Sequence, residues 1–196
     1  MKHKLLVFGI VAIIFTSITA KADEGKNCYP ITAKDLVREG APRFDQYPAK
    51  VEQIRHPAKP KLHSHMARRY RTMLRRGVAE GPNFAGHYAV VVWGCGTDCR
   101  VFAVVNLKSG KVIFPDDFDA VVFWHRVKAD DFEQAGASPS RMLRYKIDSR
   151  LLIVVGAINE GEGKEGAFYY LLQGGKLKRI FSVNVKKENC SSESQN

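Results

Sequence analysis

The chain has 196 residues, 45% of them hydrophobic, and sets 31 Lys and Arg against 20 Asp and Glu for a formal net charge of +11. That length suits one domain with a real interior, and a second is not expected. The basic balance favours anionic partners such as phospholipid headgroups, acidic polysaccharide or free nucleic acid, besides serving solubility.

Residues 1–22 read as a secretory signal peptide. Lys2 and Lys4 make a charged start, Leu5 to Phe15 is almost wholly apolar, and Ala20-Lys21-Ala22 supplies small residues for cleavage. The apolar run, about 11 residues, is too short to span a bilayer, which takes roughly 20, and no other segment comes close. The expected product is one periplasmic or secreted domain, residues 23–196, with no transmembrane segment. It loses only Lys2, Lys4 and Lys21 from its charge and stays basic.

Residues 23–61 are polar and punctuated by Pro30, Pro42, Pro48, Pro57 and Pro60, which discourage a long helix or a central strand. One short helix fits around Ala33 to Glu39, capped by Thr32. The remainder is expected as an extended arm over the core.

Residues 62–76 carry the main amphipathic helix, the N-terminal one of an α+β fold. At helical spacing Leu62, Met66, Tyr70, Met73 and Leu74 share one face, with Arg68, Arg69, Arg71, Arg75 and Arg76 opposite. Gly77 is the expected C-cap.

After Gly81-Pro82, short apolar runs alternate with turn residues, a strand pattern over residues 83–185. His87 to Trp93 is the first strand. Val101 to Asn106 and Lys111 to Phe114 form a hairpin around Lys108-Ser109-Gly110. Asp119 to Val127 follows. Met142 to Ile147 then pairs with Leu151 to Ala157, and Ala167 to Leu172 with Leu177 to Val183 around Gly174-Gly175. About eight strands in series joined by short turns imply a mostly antiparallel sheet or a small barrel. The tail after Lys186 is polar.

Four cysteines follow the signal: Cys28, Cys95, Cys99 and Cys190. In an oxidising compartment an even set reads as disulfides, with three connectivities open. Proximity in the chain favours Cys95 with Cys99, which leaves Cys28 and Cys190 as a staple between the two ends of the mature chain. A loop that wide stabilises by about 5 kcal/mol in the chain-entropy model, and the short loop by less.

The densest constellation is GPNFAGHYAVVVWGCGTDCR, Gly81 to Arg100, with close-approach glycines, a His-Tyr pair, a Trp and the cysteine pair. Its Asn83 to Tyr88 and Trp93 to Cys99 portions resemble a family of secreted bacterial proteins that share N-F-A-G-H-Y followed by W-G-C-G-T-x-C. The resemblance covers about 20 residues; it implies secretion and a shared fold, and brings no activity with it. His87, Tyr88 and Trp93 are candidate binding residues. Thiol redox catalysis is a poor match, because three residues separate the cysteines and no helix follows them. A Cys95 nucleophile assisted by His87 requires groups about 26 Å apart on one extended strand to meet.

Three other groups invite a functional reading. His63 and His65 diverge by about 200° if both are helical, so they are read as exposed rather than metal-binding. Asp116, Asp117 and Asp119 lack the pattern of a calcium loop and read as a solvated connection. Asn159 to Gly166, with three glutamates and three glycines, reads as an edge connection. No catalytic residue, metal or cofactor is assigned. The arginine face, with Arg68, Arg71 and Arg75 as candidate binding residues, suits phosphate or carboxylate groups. It lacks the interleaved aromatics of a single-strand nucleic-acid platform. The expected function is that of a non-enzymatic, disulfide-braced binding module for an anionic envelope component or another protein. The alternative is a small periplasmic enzyme, thiol redox or hydrolase, built on His87 to Cys99.

Overall fold

The computed structural model describes residues 35–97, 99–122, 143–159 and 164–184. The signal segment, Thr32, Cys28 and Cys190 lie outside the described residues, and with them the staple between chain ends.

Eight strands form a single antiparallel sheet: β1 Tyr88–Gly96, β2 Cys99–Asn106, β3 Val112–Ile113, β4 Val121–Val122, β5 Leu143–Tyr145, β6 Leu151–Ile158, β7 Lys164–Gln173 and β8 Lys176–Asn184. The main path runs β1-β2-β4-β6-β7-β8, with β3 on β2 and β5 on β6. The strand between Asp119 and Val127 is described only at β4, whose pairs with β2 and with β6 join the two halves of the sheet.

The sheet is open rather than barrel-shaped: among the described strands no pairing joins β1 to β8. Its inner face nevertheless closes over itself. Val90 of β1, Phe102 and Val104 of β2, Leu152 and Val154 of β6, Phe168 and Tyr170 of β7 and Leu177 of β8 share one buried cluster with Phe84 and Phe118. β6 is buried along its whole length, which accounts for its unbroken apolar run LLIVVGAI. Its other face, Leu151, Ile153 and Val155, is covered by Leu36, Ala41, Phe44 and Tyr47 of the arm.

Over its described residues, 35–61, the arm is irregular. Its only helical turns among the described residues are 3₁₀ turns at Asp35–Val37 and Phe44–Gln46, the first within the short helix expected there. Backbone bonds tie it down in sequence: Ala49 N–H to Asp148, Glu52 N–H to Gly86, Ala58 N–H to Leu107 and Lys61 N–H to Gly110. The Ser149 hydroxyl, buried in the β5–β6 turn, donates to the carbonyls of Phe44 at 2.8 Å and Tyr47 at 3.1 Å. Tyr169 Oη holds the Leu36 carbonyl at 3.0 Å.

The expected helix over Leu62 to Arg76 is two helices, α1 His65–Arg69 and α2 Arg71–Ala79, broken at Tyr70 with φ −101° and ψ 22°. Ser64 caps α1, its Oγ accepting the Ala67 N–H at 3.0 Å. Gly77 is not the C-cap. It sits inside α2 directly over Val91 of β1, where any Cβ would run into the Val91 side chain. The helix therefore needs a glycine there to lie close on the sheet, and it ends at Ala79, two residues before Gly81 at φ +87°. Leu74 and Val78 are buried against the outer face of β1 and β2. Met73, expected on the buried face, is 40% exposed, because it lies about 100° around the helix from Leu74. No helix among the described residues is long and apolar enough to cross a membrane.

Candidate binding surfaces

Asn83 to Tyr88 forms a tight loop that leads into β1. The Asn83 side chain imitates a strand neighbour, with Oδ1 accepting from Val90 N at 2.7 Å and Nδ2 donating to Val90 O at 3.1 Å. Phe84 is fully buried. Ala85 and Gly86 take left-handed backbone, φ +45° and +81°. For Ala85 this costs about 1 kcal/mol. At Gly86 any Cβ would meet the Lys50 carbonyl, so arm and loop are packed backbone to backbone. Three sets of bonds hold the turn: Ala85 N–H to Ser149 O at 3.2 Å, Gly86 N–H to Ile147 O at 2.6 Å, and Glu52 N–H to Gly86 O at 3.1 Å. The N-F-A-G portion of the motif is thus architecture.

His87 and Tyr88 stand where that loop meets the arm. His87 Nδ1 lies 3.0 Å from Glu52 Oε1, and the other Glu52 oxygen pairs with Lys108. The tautomer follows from Asn106. Its Oδ1 accepts the N–H groups of Lys108 at 2.9 Å and Ser109 at 3.0 Å, so its Nδ2 must be the atom 3.4 Å from His87 Nε2. His87 therefore accepts at Nε2 and donates from Nδ1 to Glu52. The Lys108 hydrogen bond and charge, with His87 beside them, hold the Glu52 carboxyl below its usual range against a partial desolvation.

Between the arm, this loop and the Gly174-Gly175 turn lies an open cleft of about 380 Å³. Its walls include Lys50, Glu52, His87, Tyr88, Arg150 and Gln173.

Trp93 does not join them. Along β1 the side chains alternate, so Tyr88, Val90 and Val92 pack on the inner face and Ala89, Val91 and Trp93 on the outer one. Trp93 is buried beneath the helices, 4.7 Å from the Tyr70 ring and 6.5 Å from Phe114. The Asn159 to Gly166 connection, of which 160–163 lie outside the described residues, leads into β7 at the end opposite Gly174. Ten extended residues, about 30 Å, separate it from the cleft.

Cys95 and Cys99 are disulfide-bonded across the β1–β2 turn, as their spacing led us to expect. In this state neither presents a thiolate, and His87 lies beyond the opposite end of β1.

The arginine face is exposed at Arg68, Arg69, Arg71, Arg75 and Arg76. Arg68 also braces the entry to α1, donating to His63 O at 2.7 Å, and Arg69 lies over the Tyr70 ring at 5.5 Å. Arg75 and Arg76 have no ion-pair or hydrogen-bond partner among the described residues. Between Glu52 and Glu80 the chain contains no acid, while Arg55, Lys59, Lys61, Arg68, Arg69, Arg71, Arg75 and Arg76 all carry charge.

The acidic cluster is split by the fold. The buried Tyr170 hydroxyl shares its one proton between the Asp117 oxygens, 3.1 Å from Oδ1 and 2.9 Å from Oδ2, and Asp117 Oδ2 lies 3.3 Å from Arg179 Nε. Burial first, then the Asp117 charge, pushes the Tyr170 phenol far up, so it stays the proton donor. Asp119 instead donates its backbone N–H to Asn159 Oδ1 at 3.0 Å. His63 precedes α1 and His65 opens it. No group of three His, Cys, Asp or Glu suited to a metal occurs among the described residues. Glu52, Lys108 and Asn106 were missed in the sequence; the only trace was a lone acid before a long basic stretch. Compared with family models, curated proteins and solved structures, the chain matches none of them.

Proposed function

We propose that the protein is a non-enzymatic binding module, acting in the periplasm or outside the cell, that holds an anionic envelope component on the arginine face of α1 and α2. The observation that carries this reading is the acid-free stretch from Glu52 to Glu80, whose arginines stay exposed while Leu74 and Val78 anchor the helix beneath them. Such a surface has a one-signed field with no internal counter-charge. The half-buried Tyr70, packed on Trp93, leaves no aromatic platform on this face for single-stranded nucleic acid.

The test is binding to phosphatidylglycerol vesicles and to an acidic polysaccharide over a range of salt. Affinity is expected to fall steeply as salt rises and to fall again when Arg71, Arg75 and Arg76 are replaced by Gln. Affinity insensitive to salt, or unchanged in that variant, would sink the proposal. Secretion is tested separately: the protein recovered from the cell envelope is expected to begin near Asp23.

A further inference from the structure

We propose a second, independent site: the cleft between the arm, the Asn83 to Tyr88 loop and the Gly174-Gly175 turn binds a small ring-bearing anion, a carboxylate or phosphate monoester. Its volume, about 380 Å³, falls within the range of small-molecule sites. Its walls are held before any ligand arrives. Arg150 N–H bonds to Tyr47 O at 2.8 Å, Leu172 N–H to Arg150 O at 3.0 Å, and Ala49 N–H to Asp148 O at 2.7 Å. Such preorganisation removes the ordering cost that a flexible site meets on binding.

The charges in the cleft are unbalanced. Glu52 is the only acid in its lining, and both of its oxygens are engaged, one by Lys108 and one by His87. Arg150 is half-buried with no anion paired to it among the described residues, and Lys50 lines the same cleft. A half-buried arginine without a counter-charge favours a carboxylate or phosphate that its guanidinium can hold through two N–H groups. Beside it, the His87 and Tyr88 rings stand 4.5 Å apart, and the Tyr88 hydroxyl makes no hydrogen bond among the described residues. With Leu172 and Pro48 they offer the body of the ligand an apolar, ring-lined flank.

The test is a two-dimensional amide NMR titration of the full chain with phenyl phosphate, repeated with inorganic phosphate. The expected result is saturable shifts at Lys50, His87, Tyr88, Arg150 and Gly175, with phenyl phosphate binding more tightly than phosphate. Arg150→Gln is expected to weaken binding at least about tenfold while the rest of the amide spectrum stays native. Because the fold uses the Arg150 backbone rather than its guanidinium, that variant should fold; exposed Lys50→Gln, expected to weaken binding less, is the second check. Shifts confined to Arg71 to Arg76, cleft shifts that survive both substitutions, or no saturation at millimolar ligand would each overturn the proposal. Shifts confined to Arg71 to Arg76 would overturn the cleft while supporting the arginine face, and the vesicle experiment reads that face alone, so the two sites stand or fall separately.

Discussion

The cleft below β1 and the arginine face of α1 and α2 both carry positive charge, but they are built in opposite ways. Around the cleft, the one lining acid and the loop backbone already have partners: Glu52 with Lys108 and His87, the neighbouring Asn106 with its own turn, and the loop backbone with the arm. On the helices, Arg75 and Arg76 have none among the described residues, and the fold spends its contacts on the face beneath them. A charged residue with a built partner belongs to the architecture, and one without is available to a ligand. Arg150 is informative because it sits in the partnered region yet lacks a counter-ion of its own among the described residues.

The sharpest way to break the comparison is to remove what holds each surface. Leu74 is fully buried between α2 and the sheet, so Leu74→Ala should cost about 3 kcal/mol, read from urea unfolding. Anion binding by the helices should weaken with it as α2 loosens, while amide shifts at His87 and Gly86 stay small. Gly86→Ala acts on the other region. Its added Cβ meets the Lys50 carbonyl at φ +81°, and the expected loss is roughly 2–3 kcal/mol, with the amides of Lys50, Glu52 and Ile147 displaced. If both variants disturbed both regions equally, the two surfaces would be one cooperative unit.

Glu52→Gln is expected to act more gently, and only over part of the pH range. Because the folded-state carboxyl titrates below its reference value of 4.5, the stability it contributes is fully present above that pH. It is lost as pH falls below 4.5 through the folded-state value, since acid protonates the carboxylate and weakens its pairing with Lys108. The urea midpoints of wild type and variant should therefore differ at neutral pH and converge in acid. A difference that persisted once the carboxylate was fully protonated, followed by its own NMR titration, would mean that Glu52 acts through packing rather than charge.

What could be read in advance was whatever depends on neighbours in the chain. The strands showed as short apolar runs bounded by turn residues, as in Ala89 to Trp93 ahead of Gly94, although only the structure shows which of those side chains face inward. The Cys95–Cys99 bridge showed through spacing. Gly77 misled because a glycine after a helical run has two uses, ending the helix or letting it lie close on a sheet, and only the position of Val91 decides between them. Glu52 and His87 were not legible as a pair, since the arm carries one and β1's entry the other. Asp117 looked like a solvated acid because Tyr170 and Arg179 reach it from β7 and β8. Trp93 looked site-like and is core, because its strand parity turns it under the helices.

The smallest expected effect on stability is the one that best separates the two regions. Replacing Arg75 and Arg76 together by Gln removes two charges with no ion-pair or hydrogen-bond partner among the described residues, so the unfolding free energy should move by no more than about 0.5 kcal/mol. A cation near an anionic lipid surface is worth about 1 kcal/mol, so affinity for phosphatidylglycerol vesicles should drop roughly thirtyfold at low salt. The same substitutions should leave the cleft's amide shifts with phenyl phosphate untouched. A large loss of stability would show that these arginines support α2 after all. A full loss of vesicle binding with an unchanged fold would place the function in side chains that the architecture does not need.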